Sequence, residues 1–286
     1  MFGILIITYK KKQTKKGENM NIWTEMSIEF ANQKNYLDEL YKVYPISPNL
    51  RRELAPDLQR GIEVAFQKRD NEMLIKKLLQ LELFPIKDSY VAYLRRDPSS
   101  VNRNPQTINR IAGTIYEMGY DAVIEKCTEP KETNRQIGPM FKYWLNKGFL
   151  GAPIYKSVSE FLRHPDENAI LNVSDAEMAN FAVEYLGYSR EKGLDFLARF
   201  NGKYVVGEAK FLTDFGGHQN AQFEDAVSTI TSKFHSAKLK AEVVPIAVMD
   251  GVLYIKGNHK MYRYLESHEE QIIVSSLLLR EFLYSL

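Results

Sequence analysis

Residues 194–211 decide the fold and read LDFLARFNGKYVVGEAKF. Two runs of apolar and aromatic residues flank the dipeptide Asn201-Gly202 in this stretch. An Asn-Gly dipeptide between such runs is the strongest short-range signal for a β-hairpin, because both residues tolerate the positive φ of the turn. The sequence therefore predicts one strand over 194–200, a two-residue turn, and a partner strand over 203–211.

The register of this hairpin collects charged residues at one end. With a two-residue turn, Arg199 pairs with Tyr204, and the same register sets Asp195 opposite Glu208. Side chains at positions i and i+2 of a strand share a face, so Lys210 points the same way as Glu208. We therefore expect two carboxylates and one ammonium group to meet at the end of the hairpin.

These three side chains suit metal-assisted cleavage of a phosphodiester bond. Carboxylates hold hard divalent cations such as Mg²⁺, and a bound ion activates water and shields the charge on the phosphate. A lysine can hold the attacking water or neutralise the transition state. One lysine facing two buried acids leaves a net negative charge, which favours a cation. The alternative is a buried salt bridge of Lys210 within an ordinary α/β core.

The spacing of these residues resembles a known family. The tripeptide GLD at 193–195 and the tetrapeptide GEAK at 207–210 put twelve residues between the two acids. This pattern looks like the core of the PD-(D/E)XK nucleases, especially as type II restriction endonucleases carry it. The resemblance covers about residues 174–256 by motif and by the order of elements, with Leu194 in place of the proline of the family's name.

The resemblance implies a role for each acid and for the lysine. Asp195 and Glu208 would bind the metal ion, and Lys210 would be the catalytic lysine. Members of the family often add an acid from the preceding helix, for which Glu184 is the candidate here. The implied fold class is α/β (α+β), in which helices flank a mixed sheet.

The resemblance also implies an activity and its partners. We expect a Mg²⁺-dependent endonuclease that cuts double-stranded DNA at a specific sequence and leaves 5′-phosphate and 3′-hydroxyl ends. Because palindromic sites mirror two-fold symmetry, a homodimer is expected, with a cognate DNA methyltransferase as a genetic rather than a physical partner. Two alternatives are a structure-specific or DNA-repair nuclease with the same core, and a non-catalytic helix-turn-helix protein that binds DNA.

The flanking sequence divides the chain into three parts. Residues 20–150 have helical patterns and form a candidate DNA-recognition region, whereas residues 151–286 alternate helices and strands and form the candidate catalytic core. Residues 1–19 contain five lysines and one acid. This segment is expected to be either a flexible basic arm or an extension ahead of a natural start at Met20.

Beyond the hairpin, the pattern predicts three further kinds of element. A helix is expected over about 218–234, and a fully apolar strand over 243–249 that turns at Asp250-Gly251 into a strand over 252–256. A final amphipathic helix is expected from Ser267. It offers leucines on several faces and is a candidate for either a dimer interface or the core.

Residues 105–148 predict three helices with short turns, the arrangement of a helix-turn-helix module. The third helix would present Asn134, Arg135 and Gln136 at its start, followed by Lys142. Such side chains contact base edges and phosphates when a recognition helix enters the major groove. The alternative is a solvated helix face with Asn134 as its N-cap.

A polar, glycine-punctuated segment follows the second hairpin strand. It contains His218, Gln219, Asn220 and Gln222, and in the resembling endonucleases this region commonly contacts DNA. Amide side chains suit phosphates and the edge of adenine. The alternatives are a plain loop with a helix entry, or His218 as a general base.

The composition narrows the class of protein. The 38 basic and 36 acidic side chains give a net charge of +2, of which residues 1–19 supply +4 and the remainder −2. Attraction to polyanions must therefore come from local patches. The single Cys127 excludes an intrachain disulfide and an all-cysteine zinc site and fits a cytoplasmic, reducing compartment. No apolar run reaches the length of a membrane span.

Overall fold

The structure is a computed structural model that describes residues 20–45, 52–130, 136–165, 167–190, 192–235 and 238–286. The chain divides into two compact units. Met1–Ile46 and Thr133–Leu286 form one of them, here called the sheet unit, and Ser47–Glu132 form the other, the helical unit. The helical unit is therefore an insertion in the sequence of the sheet unit. The predicted extension at residues 1–19 lies outside the described residues.

One mixed sheet organises the sheet unit. In the described part of the chain it contains six strands in the order β1-β2-β3-β4-β5-β6. The pairs β2–β3 and β3–β4 are antiparallel, and the other three pairs are parallel. The strands are β1 (Ile154–Tyr155), β2 (Ala169–Leu171), β3 (Phe196–Phe200), β4 (Lys203–Leu212), β5 (Val243–Gly251) and β6 (Ile272–Val274). The predicted α/β fold class with a mixed sheet is confirmed.

The hairpin forms in the predicted register. Asn201 and Gly202 both have positive φ, at 49° and 77°, as the two-residue turn requires. Arg199 pairs with Tyr204. The strand β3 begins at Phe196 rather than at residue 194, but the backbone N–H of Asp195 still donates to the carbonyl of Gly207 at 3.1 Å. Asp195 is therefore held at the end of the ladder.

Strand β4 lies at the centre of the sheet, between antiparallel β3 and parallel β5. Most residues of these three strands are buried and the rest are half-buried, which explains the near-continuous apolar runs. Backbones approach closely at Gly207, where a β-carbon would lie 2.7 Å from the carbonyl oxygen of Ile246. A glycine is needed next to Glu208 because strand β5 leaves no room for a side chain there.

Helices cover the sheet, and two of them position the charged end of the hairpin. They are α1 (Ile22–Ala31), α2 (Tyr36–Val43), α9 (Ile137–Asn146), α10 (Val158–Arg163), α11 (Asp175–Leu186), α12 (Gly217–Ile230), α13 (Lys260–Ser267) and α14 (Leu279–Ser285). Helix α11 begins with a capping box in which Ser174 and Glu177 satisfy each other's backbone donors. Helix α12 follows β4 directly and packs on β4 and β5.

The helical unit has a core of its own. Its helices are α3 (Pro56–Gln67), α4 (Asn71–Leu78), α5 (Val91–Arg96), α6 (Ser100–Arg103), α7 (Pro105–Met118) and α8 (Tyr120–Cys127). Helices α3 and α7 both begin with proline, whose missing N–H costs nothing at that position. Cys127 is buried in this core, and burial raises the pKa of its thiol to about 12. It behaves as a small apolar residue.

Three predicted features differ from the structure. The boundary near residue 150 does not separate the units, because α1, α2 and α9 belong to the sheet unit. The final helix predicted from Ser267 is wrong for its first part. Three β-branched residues there form the edge strand β6 and pair with β5, and helix α14 begins only at Leu279. The predicted strand over 252–256 is instead a 3₁₀ turn at Val252–Tyr254. No helix in the described residues is long and apolar enough to cross a bilayer.

Candidate active site

Asp195, Glu208 and Lys210 meet at the end of the hairpin. The Nζ atom of Lys210 lies 2.9 Å from Oδ2 of Asp195 and 2.7 Å from Oε2 of Glu208. The backbone N–H of Ala209 donates to the same Asp195 oxygen at 3.0 Å. The hairpin register and the i, i+2 spacing on β4 therefore bring the three groups into direct contact.

The three side chains differ in their access to solvent. Glu208 is 2% exposed, whereas the side chains of Asp195 and Lys210 are 18% and 19% exposed. Glu208 therefore lies at the floor of the site, and Asp195 and Lys210 are open to a ligand that approaches from outside.

Burial and charge separate the pKa values of the two acids. Burial, together with the charge of Asp195, raises the pKa of Glu208 to about 7 in spite of Lys210. Burial also opposes ionisation of Asp195, but the charge and hydrogen bond of Lys210 and the N–H of Ala209 outweigh it and lower its pKa. The two carboxylates likewise outweigh the burial of Lys210 and raise its pKa, so its ammonium group stays charged.

A second lysine reaches the site, which the sequence analysis did not identify. The Nζ atom of Lys192 lies 3.0 Å from Oε1 of Glu208, and it also forms an ion pair with Asp225 of α12. Lys192 directly precedes the GLD motif, and Asp225 lies fifteen residues beyond Lys210. Only the packing of α12 against β4 brings Asp225 here, so no local pattern could have indicated it.

The donor set fits a hard divalent cation. The buried Oε1 atom of Glu208 has no hydrogen-bond partner among the described residues, so it keeps a lone pair for a ligand. Within those residues no group of three or more histidine, cysteine or acidic side chains is placed to hold a metal. Two carboxylates are therefore what the described chain offers, and Mg²⁺ is commonly held by one or two carboxylates together with water and substrate phosphate.

The structure does not bring Glu184 to these acids. Its side chain is half exposed and forms an ion pair with Lys238 at 2.6 Å. The first residue of helix α11, Asp175, contacts the GLD motif, because its carbonyl accepts the N–H of Leu194. Glu184 lies nine residues further on, roughly 13 Å along the helix axis.

The predicted contacts of α12 fall into two groups. Gln219 is buried, and its Oε1 accepts the N–H of Thr213, while the side-chain amide of Asn220 donates to the carbonyl of Phe215. These two side chains hold the loop over 213–216. His218 and Gln222 lie nearer the surface, with their Nε2 atoms 3.1 Å apart.

Of the predicted contacts at α9, Asn134 and Arg135 lie outside the described residues. Gln136 directly precedes the helix. Lys142 donates to the carbonyl of Val173 at 2.9 Å and pairs with Asp175, so its charge is used within the sheet unit. The apolar face of α9 packs on β4 and α2. Helices α7 and α8 belong to the helical unit, whereas α9 belongs to the sheet unit.

A comparison with known protein families identifies one to which the chain is similar over most of its length. The model of the family described as Tsp45I type II restriction enzyme matches residues 21–286. The chain belongs to this family. Membership makes it a type II restriction enzyme, a DNA-binding protein and a site-specific deoxyribonuclease. Curated proteins and solved structures give no significant match.

Proposed function

We propose that this member of the Tsp45I family is a Mg²⁺-dependent endonuclease of the PD-(D/E)XK type, with Asp195 and Glu208 as metal ligands and Lys210 as the catalytic lysine. One observation carries the proposal. A single ammonium group bridges two carboxylates, and in the described part of the chain the buried Oε1 atom of one of them, Glu208, accepts no hydrogen bond. That oxygen is ion-paired with Nζ of Lys192 at 3.0 Å but keeps a lone pair for a metal ion.

The chain's own groups set up hydrolysis. When bound, Mg²⁺ supplies an activated water molecule and charge compensation at the phosphate. The N–H of Ala209 fixes the rotamer of Asp195, so that one carboxylate oxygen is held in place before substrate arrives. Lys210 holds a full positive charge at the rim, where it orients the attacking water or neutralises charge on the scissile phosphate.

DNA contacts are proposed for the exposed part of this region. His218 and Gln222 lie on the first two turns of the helix that follows the catalytic strand, and their polar atoms are near the surface. The proposal also covers the products and the partners. Cleavage leaves 5′-phosphate and 3′-hydroxyl ends, and the chain acts as a homodimer that matches palindromic sites. A cognate DNA methyltransferase is its genetic partner.

Cleavage of long DNA tests this function directly. The full chain is incubated with unmodified plasmid and phage DNA, with and without Mg²⁺, and the ends are sequenced. We expect discrete fragments that require Mg²⁺ and share one sequence at every end. A smear without a common sequence would support a structure-specific or repair nuclease, and binding without cleavage would support a non-catalytic protein.

The raised pKa of Glu208 predicts how cleavage depends on pH. The pKa of Glu208 is about 7, so at lower pH its carboxyl group is protonated and neutral and binds a cation weakly. At limiting Mg²⁺, the single-turnover rate is therefore expected to rise as pH increases through 7 and to level off above it. Higher Mg²⁺ should move the midpoint to lower pH. A rate that stays constant between pH 5.5 and 8 would contradict this role of Glu208.

A further inference from the structure

Lys192 occupies the side of Glu208 that Lys210 does not use. Lys210 bonds Oε2 of Glu208, whereas Nζ of Lys192 lies 3.0 Å from Oε1. This second contact has the distance of an ion pair without the geometry of a hydrogen bond, since Oε1 has no such partner among the described residues. The ammonium group of Lys192 would therefore compete with a cation for Oε1 of Glu208.

Asp225 gives the same ammonium group a second partner. The Asp225 side chain is 37% exposed, that of Lys192 30% and that of Glu208 2%. Lys192 thus bridges the floor of the site and its rim on helix α12. Its flexible four-carbon stem allows it to leave one carboxylate while it keeps the other.

The charges of the cluster favour such an exchange. Asp195, Glu208 and Asp225 contribute three negative charges, and Lys192 and Lys210 contribute two positive charges. With one net negative charge, the cluster attracts a divalent cation. A cation bound at Oε1 repels the ammonium group of Lys192 over this short distance and so favours its move towards Asp225.

We propose that Lys192 is a positioning residue that occupies the Oε1 side of Glu208 when no metal ion is bound and is displaced towards Asp225 when a divalent cation binds. This inference rests on the proposed function, because it assumes that Glu208 is a metal ligand. Asp225 retains the displaced ammonium group at the rim, close to where a DNA phosphate must lie. Lys192 therefore competes with the metal ion for Oε1 of Glu208. Asp225 weakens this competition because it pairs with the displaced ammonium group.

Metal binding without DNA tests the exchange. The full chain is titrated with Mn²⁺ by calorimetry at pH 8.5, above the pKa of Glu208, so that protons compete little. Lys192→Met is expected to bind Mn²⁺ about tenfold more tightly, the size of effect typical of groups just outside a metal's ligands. Lys192→Arg keeps the positive charge and should bind as the original chain does. Asp225→Asn should bind about fivefold more weakly, since the lysine loses its second partner.

A matched control comes from the other end of β4. Lys203 is 31% exposed and pairs with Glu242 at 3.1 Å, so Lys203→Met removes a similar ion pair far along the same strand. It should leave Mn²⁺ binding unchanged. Circular dichroism spectra and melting curves check that each variant folds, and Lys192→Gln replaces the methionine variant if that one does not.

The outcomes separate this inference from the proposed function. If the original chain binds Mn²⁺, Glu208→Gln abolishes binding, and the folded neutral Lys192 variant stays within twofold of the original chain, the lysine exchange is overturned and the metal site stands. Weaker binding by Lys192→Met, or tighter binding by Asp225→Asn, would overturn it too. If the original chain and Glu208→Gln both fail to bind Mn²⁺, the proposed function and this inference fall together.

Discussion

Lys210→Ala is expected to lower the Mg²⁺-dependent rate of DNA cleavage at least about hundredfold while DNA binding persists. The same result is expected for Asp195→Ala and Glu208→Ala. Each change removes one of the groups that meet within 3 Å at the end of the hairpin. Single-turnover cleavage of a duplex that carries the recognition sequence measures the rate, and gel shifts with Ca²⁺ in place of Mg²⁺ measure binding.

The control for these variants is Lys203→Ala, at the start of the same strand and in an ion pair of its own. It should cleave at the original rate. Retention of more than about a tenth of the rate by any of the three site variants would count heavily against the proposed roles. Loss of binding together with cleavage would indicate misfolding, which a melting curve distinguishes.

A large loss of stability is expected from Asp250→Ala, a change away from the site. Asp250 is fully buried in β5 and accepts hydrogen bonds from the hydroxyls of Tyr44 and Ser275, at 3.0 and 2.5 Å, and from the N–H of Ser276 at 3.2 Å. Alanine leaves these buried donors without their acceptor. The free energy of unfolding should fall by about 3 kcal/mol at pH 7, measured by urea denaturation.

The pH dependence of this loss follows from the pKa of Asp250. Burial raises that pKa to about 6, well above its ordinary value, although the hydrogen bonds oppose the shift. A carboxyl with a raised pKa in the folded state contributes most below its ordinary pKa and loses that contribution as pH rises through 6. The decrease in the free energy of unfolding caused by Asp250→Ala should therefore be larger at pH 5 than at pH 8.

Asp38→Ala provides the matched control for stability. Asp38 is an exposed acid in the first turn of α2, the helix that ends next to Tyr44. Its loss should cost at most about 0.5 kcal/mol, the size of an exposed interaction with a helix terminus. If Asp250→Ala is no less stable than this control, the buried hydrogen bonds do not hold the sheet unit together as described.

The sequence predicted the hairpin and the meeting of Asp195, Glu208 and Lys210 because both depend on local rules. The Asn-Gly turn sets the register, and the register together with the period of two sets which side chains meet. The α/β class was expected from the family resemblance that the same residues carry, and the six-stranded mixed sheet in the described residues confirms it.

Other features depend on contacts between distant parts of the chain. The apolar face of α9 fits a recognition helix or a core helix equally well, and only its packing on β4 decides between them. The period of two in β6 is too short to be distinguished from one face of a helix. Lys192 and Asp225 meet because α12 folds back on β4, which no local pattern encodes.

Segments of the sheet unit that contact each other lie as many as 249 residues apart in the sequence, which bears on how the unit folds during synthesis. The hydroxyl of Thr24 donates to the carbonyl of Ile273, and the N–H of Ser275 donates to the hydroxyl of Ser27. Helix α1 therefore reaches these partners only after the residues up to Ser275 have left the ribosome. Contacts between residues so far apart in the sequence make folding slow. All residues of the inserted helical unit are synthesised much earlier in translation. The sheet unit thus closes only after the segment that contains β6 has been synthesised.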